Sequence, residues 1–217
     1  MGLFNYNNPV IKFMVKLANM MIVSFYWVIC CLPLVTILPS CAGLYYATTR
    51  VVFKEGNGGG VTRAFFDAFK DACKPGILLS ILADILAVLI YLGIITGLQT
   101  WQENLFWAFY LAAGFLIAFL LVSALIFLGP VLSRFSAGAV VVLRLAFYFS
   151  GRHIFRSILY LLLLVAMFLA VELFPLLLLL VPALYTDLIH GGVEKSMEEF
   201  IKSSQLEEAH GAEQKQA

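Results

Sequence analysis

Two stretches, 76–98 and 105–132, are apolar almost throughout and contain one charged residue between them, Asp84. A bilayer core about 30 Å thick is crossed by roughly 20 apolar residues in helix, so each stretch predicts one membrane-spanning helix. The link between them, 99–104, carries no Lys or Arg. Trp101 lies in it, and Trp107 and Tyr110 come within a few residues. A short, non-basic, aromatic-rimmed turn belongs outside the membrane, which makes these helices a hairpin with both open ends inside.

The ends of the chain carry longer apolar runs that prolines interrupt. One extends from Leu17 to Thr49 and contains Pro33 and Pro39. The other extends from Ile154 to Leu188 and contains Glu172, Pro175 and Pro182. The 14 Lys and Arg residues choose between one crossing and two for each run. With one crossing each, Lys12, Lys16, Lys195, Lys202 and Lys215 fall outside. With two, every basic residue stays in the cytoplasm, as basic loops prefer. The expected fold is therefore an all-α, polytopic bundle of about six spans: 10–33, 39–54, 76–98, 105–132, 154–172 and 175–190. The returning legs have only about 15 residues, roughly 22 Å of helix. Irregular backbone at membrane depth must be buried in protein or face water, so the bundle is expected to wrap the helix breaks at Pro33, Pro39, Pro175 and Pro182. Both ends read as apolar helix, Pro, short apolar linker, Pro and a second leg, which suggests an internal repeat.

Two further segments have the spacing of interfacial amphipathic helices. In 61–74, Phe65, Phe66, Phe69, Ala72 and Cys73 share one face, and Arg63, Asp67, Lys70, Asp71 and Lys74 the other. Arg63–Asp67 and Asp67–Lys70 are placed to pair across a turn, and Pro75 marks the turn into the membrane. In 137–150, Arg144 lies among Val140, Leu143, Phe147 and Phe149, with Arg152 and Arg156 shortly after. The glycine-rich stretch 56–60 lacks the Lys-Ser/Thr of a phosphate loop and reads as a flexible joint. Residues 193–217 hold six Glu and three Lys. They predict a solvated cytoplasmic tail, helical for two turns at most and disordered beyond Ser203.

Composition agrees with the membrane reading: 62% hydrophobic, 12% charged and a mean hydropathy of +0.96, against about a quarter charged in soluble domains. A net charge of +1 without a basic stripe argues against nucleic acid. No cleavable signal peptide is expected, since the first apolar run continues without a small-residue cleavage site. Cys30, Cys31, Cys41 and Cys73 read as small hydrophobes. His153 and His190 have no companions at metal-ligand spacing, and no enzyme motif is present. The reading is a non-enzyme with no metal and no cofactor. Asp84 and Glu172 are the intramembrane polar candidates for a functional or structural role. Asp84 is expected to face the bundle interior, with Arg134 or Arg156 as partner.

Four stretches together resemble the YesL family of bacterial integral membrane proteins, a domain of unknown function. They are the opening G-L-F-N-Y with Pro9, C-C-L-P-L-V-T-I-L-P-S-C-A-G-L-Y-Y over 30–46, the F-F-D-A-F-K helix, and R-L-A-F with R-H-I-F-R-S around 144–157. The resemblance runs from about Met1 to His190. It implies a bacterial plasma membrane protein in a setting of oligosaccharide uptake, while the basic clusters predict a multi-pass chain with both termini cytoplasmic. Besides the lipid bilayer, the implied partners are permease or ATPase subunits of a sugar ABC importer. The function expected is that of an accessory or regulatory subunit, with Arg63, Asp67, Lys70, Lys74, Arg144, Arg152 and Arg156 as its cytoplasmic docking surface. The alternatives are a small secondary transporter built on Asp84 and the proline breaks, and a membrane assembly factor.

Overall fold

A computed structural model describes residues 9–52, 60–100, 105–134, 138–152 and 154–216. The joint expected at 56–60 falls mostly outside these, as do the centre of the 99–104 link and His153. Among the described residues the fold is entirely helical: α1 (Pro9–Cys31), α2 (Ile37–Ala47), α3 (Gly60–Thr100), α4 (Leu105–Arg134), α5 (Ala139–Arg152), α6 (Ile154–Leu173) and α7 (Val181–Gln216). Four of them contain stretches long and apolar enough to cross a bilayer: Val10–Cys31, Gly60–Gln99, Phe106–Arg134 and Ile154–Leu173. Their large side chains are widely exposed, including Phe13, Leu89, Phe115 and Phe168. An outward apolar surface on this scale suits lipid and would be a liability in water.

The helices alternate in direction. Tyr26 of α1 touches Phe65 and Phe66, with ring centroids 5.9 and 5.3 Å apart, while Met20 and Val23 join Leu44 and Ala47 of α2 in one apolar cluster. With Thr36 bonded back to the Cys30 carbonyl at 2.6 Å, these contacts set α2 antiparallel to α1. Helices α3 and α4 form the expected hairpin. Gly93 and Gly97 of α3 admit Tyr110 and Leu111 of α4, and Gly114 admits Ile94. Helix α7 returns along α6, placing Tyr185 near Tyr160 and Gly192 near Arg156.

Helix α3 departs from expectation. Segment 61–74 is not a separate helix but the first arm of a 41-residue helix that continues through Pro75. A straight rod of that length would measure about 62 Å. Leu38 bonds Ser80, yet Gly43 lies against Phe65, so about 8 Å of α2 matches about 22 Å of α3. Side-by-side packing on both arms therefore requires α3 to bend around α2. Pro75 lies in that interval, where its missing N–H and its ring weaken the ladder. Leu38 also lies some 20 residues, about 30 Å, short of the C-terminal end of α3. The α1–α2 turn is thus shallower than the α3–α4 turn.

The bundle wraps the proline segments only in part: Pro39 and Pro182 are buried, whereas the stretches at Pro33 and Pro175 are not. Leu32 is 77% and Leu176 79% exposed, and Pro33 and Pro175 are exposed as well. Their backbone is satisfied locally instead. Single 3-10 turns at Leu34–Thr36 and Pro175–Leu179 carry bonds such as Thr36 N to Pro33 O and Leu177 N to Phe174 O. A self-satisfied backbone removes the reason for burial. Pro39 and Pro182 break no helix, since each sits in the first turn of one, where its absent N–H has no intrahelical partner to lose.

A second correction concerns the tail. Val193, Ser196 and Met197 are buried core residues, so residue 193 is not where the packed domain gives way to a tail. Ile189, Val193 and Met197 recur every four residues and form the buried stripe of α7. Helix continues through Gln216, past the point where disorder is expected. Once a packed segment supplies the nucleus, Glu, Gln, Ala and Lys extend it readily.

Candidate functional site

The interacting polar side chains gather at one end of the bundle, where α4 ends, α6 begins and α7 passes between them. Arg134, the last residue of α4, pairs with Glu194 of α7. Their side chains are only 26% and 19% exposed. Glu194 also receives His190 Nε2 at 3.3 Å, one turn earlier on α7. The other ring nitrogen, Nδ1, lies 3.3 Å from the Tyr45 hydroxyl on α2. A neutral imidazole protonated on Nε2 satisfies this chain: Tyr45 donates to Nδ1, and Nε2 donates to Glu194.

A second clamp lies beside the first. Arg156 of α6 donates to Ser196 Oγ at 2.7 Å and to the Gly192 carbonyl at 3.3 Å. Gly192 is required there because the Tyr160 hydroxyl occupies the space a Cβ would fill. The Tyr160 ring packs against Phe127 of α4, 6.0 Å between centroids. Four helices, α2, α4, α6 and α7, thus meet in hydrogen-bonded contact around His190–Ser196. The charged groups are half-buried, Arg134 and Glu194 paired with each other and Arg156 hydrogen-bonded to α7, which is how charge is tolerated away from water.

Serines complete the frame. Ser80 accepts the buried Leu38 N–H at 3.2 Å, and Ser24 accepts the buried Ala183 N–H at 3.3 Å. Each caps a returning helix at an N–H that its own first turn leaves orphaned, next to a proline that removes another. The two ends of the chain therefore share helix, 3-10 turn and serine-capped helix. Further in, Ser150 donates to Ser123 at 2.8 Å, and Ser157 to the Ser150 carbonyl at 3.3 Å, tying α4, α5 and α6.

The structure separates the residues singled out from sequence. Asp84 is half-buried, one turn beyond Ser80, and makes no hydrogen bond or ion pair among the described residues. Its expected partners are engaged elsewhere: Arg134 with Glu194, and Arg156 with α7. Glu172 is exposed near the end of α6. Arg63 and Asp67 pair at 3.5 Å on the surface, as their spacing predicts. With Lys70 and Lys74 they form an exposed stripe along the first arm of α3. Arg144 and Arg152 are exposed on α5, whereas Arg156 is half-buried and bonded to Gly192 and Ser196 of α7. No three His, Cys, Asp or Glu residues are grouped to hold a metal among the described residues.

Sequence reasoning missed Glu194, Gly192, Ser196, Tyr45 and Tyr160. The signal for α7 was present in the i, i+4 pair His190 and Glu194, flanked by the apolar stripe. It was overridden by the acidic composition of the chain from Glu198 onward.

A family model described as "Protein of unknown function, DUF624" matches residues 20–94, well under half of the chain. The match covers α2, the first arm of α3 and the 30–46 stretch that carries part of the resemblance noted from sequence. No curated protein and no solved structure matches the chain.

Proposed function

We propose that this chain is a non-enzymatic accessory or regulatory subunit of a carbohydrate importer in the bacterial plasma membrane, with both termini cytoplasmic. Four full-length helices and two shorter returning legs make up the membrane domain. The basic ends of the helices face the cytoplasm, in keeping with the positive-inside rule. The oligosaccharide setting rests on the resemblance to the YesL family.

One observation carries the accessory role. The clustered polar groups of the bundle are spent on one another, in holding α7 to α2, α4 and α6, while a charged stripe on α3, with Arg63 and Asp67 paired along it, stays on the surface. Arg63, Asp67, Lys70 and Lys74 are all exposed. Alternating signs on a helix braced by Phe65 and Phe69 suit a protein partner with complementary charges. The transporter alternative rests on Asp84, which has no coupled partner among the described residues.

The test is crosslinking in intact cells grown on oligosaccharide, with purification through a tag on this chain. Permease or ATPase subunits of a sugar importer should be captured, and the charge reversal Arg63→Glu with Lys70→Glu should reduce their yield several-fold. Abundant bait without importer subunits would contradict the proposal. Oligosaccharide flux through the purified chain alone in proteoliposomes, lost in Asp84→Asn, would favour the transporter instead.

A further inference from the structure

We infer that the outward face of α5 binds the anionic headgroups of membrane phospholipids. Helix α5 has two unlike faces. Val142, Ala146, Phe149 and Ser150 are buried against the bundle, and Phe149 stacks near Phe127 at 6.4 Å. Opposite them, Val140, Arg144, Phe147 and Tyr148 are exposed, and Arg152 lies one turn after Tyr148. Arg144 is at the centre of this outer face, one turn from Val140 and less than a turn from Phe147. Arg152 lies 5.9 Å from the Tyr148 ring centroid and donates to its hydroxyl at 2.9 Å. That contact pins the guanidinium at the surface with donors to spare.

Two properties select the occupant. The first is charge of one sign: residues 105–171 contain no Asp or Glu, so nothing in this stretch of chain neutralises the two arginines. The second is the mixture on one face, arginines set among a valine, a phenylalanine and a tyrosine, with Phe155 90% exposed just beyond. A polyanionic protein surface would leave those apolar groups in water, and free phosphate would ignore them. A phospholipid surface takes both, with phosphate at the guanidinium and acyl boundary at the rings. The stripe on α3 differs, because its signs alternate and its apolar residues point inward.

The test uses the full chain purified in a neutral detergent and titrated with phosphatidylglycerol or phosphatidylcholine, with bound lipid counted by native mass spectrometry. A basic side chain at a lipid surface contributes about a fivefold preference for anionic lipid. Arg144→Gln with Arg152→Gln should therefore weaken phosphatidylglycerol binding about 30-fold and leave phosphatidylcholine unchanged. The paired Lys replacements should restore most of it. Both sites are exposed, and unchanged circular dichroism checks the fold. The inference is overturned if the double Gln variant binds phosphatidylglycerol like the parent, if the parent binds both lipids equally, or if millimolar inorganic phosphate displaces the lipid.

Discussion

Gly192 offers the sharpest probe of the polar end. An alanine there would set its Cβ well inside contact distance of the Tyr160 hydroxyl, whereas the next ring atom, Cζ, is 3.2 Å away. Tyr160 is a buried ring held against Phe127, so it cannot swing aside without opening that packing. Overpacking of this kind costs about 1–3 kcal/mol, and Ala in place of Gly within a helix returns about 1 kcal/mol. Gly192→Ala should therefore destabilise by up to about 2 kcal/mol, lowering the melting temperature by a few degrees at about 2–4 °C per kcal/mol. Removing the hydroxyl removes the closest contact and leaves Cζ at 3.2 Å, a few tenths of an ångström too near. With Tyr160→Phe in place, the same Gly192→Ala should be neutral or stabilise by up to about 1 kcal/mol. The coupling between the two sites is then about 2 kcal/mol, readable as a double-mutant cycle. The assay is thermal unfolding of the purified chain in a mild detergent, with Gly191→Ala as control because open space surrounds that position. If Gly192→Ala costs the same with Tyr or Phe at 160, α6 and α7 do not pack as described.

Other perturbations probe the rest of the frame. Glu194→Ala strands Arg134 and His190 in a half-buried site and should cost about 2–3 kcal/mol, with the reversal Arg134→Glu plus Glu194→Arg recovering part of it by the same melting assay. Ser80→Ala leaves the buried Leu38 N–H unsatisfied and should cost about 1–2 kcal/mol; a loss within error would remove serine capping from the account. Gly76→Ala places a Cβ 2.8 Å from the Pro39 ring and, after the helix gain of Ala, should destabilise by up to about 2 kcal/mol. Asp67→Asn breaks an ion pair whose side chains are 78% and 61% exposed, so stability should move by less than about 0.5 kcal/mol.

The hairpin of α3 and α4 was legible because length and hydropathy alone decide it, with Asp84 the one charge in either stretch. The helical face of 61–74 was legible too, and Phe65 is fully buried as its spacing predicts. Its continuity through Pro75 was not, since proline is compatible with both a helix end and a bend, and only the packing of two arms on α2 decides. The terminal runs were read as reversing pairs from charge placement, and the alternating contacts agree in direction. The depth of the first turn was hidden because it depends on Leu38 meeting Ser80, a contact 42 positions apart. Glu194 was missed for a different reason. Local composition describes the surroundings of a residue in sequence, whereas burial is set by Arg134, which lies 60 positions away.

The proposed topology puts both termini on the side of the basic loops, and cysteine accessibility in intact cells tests this directly. Starting from a chain in which Cys30, Cys31, Cys41 and Cys73 are replaced, single cysteines at Asn8, Gln102 and Gln205 are challenged with a membrane-impermeant maleimide. Labelling of position 102 in intact cells, with positions 8 and 205 labelled only after permeabilisation, is the predicted result. Labelling of positions 8 and 205 from outside would mean that each terminal run crosses once, and would contradict the account.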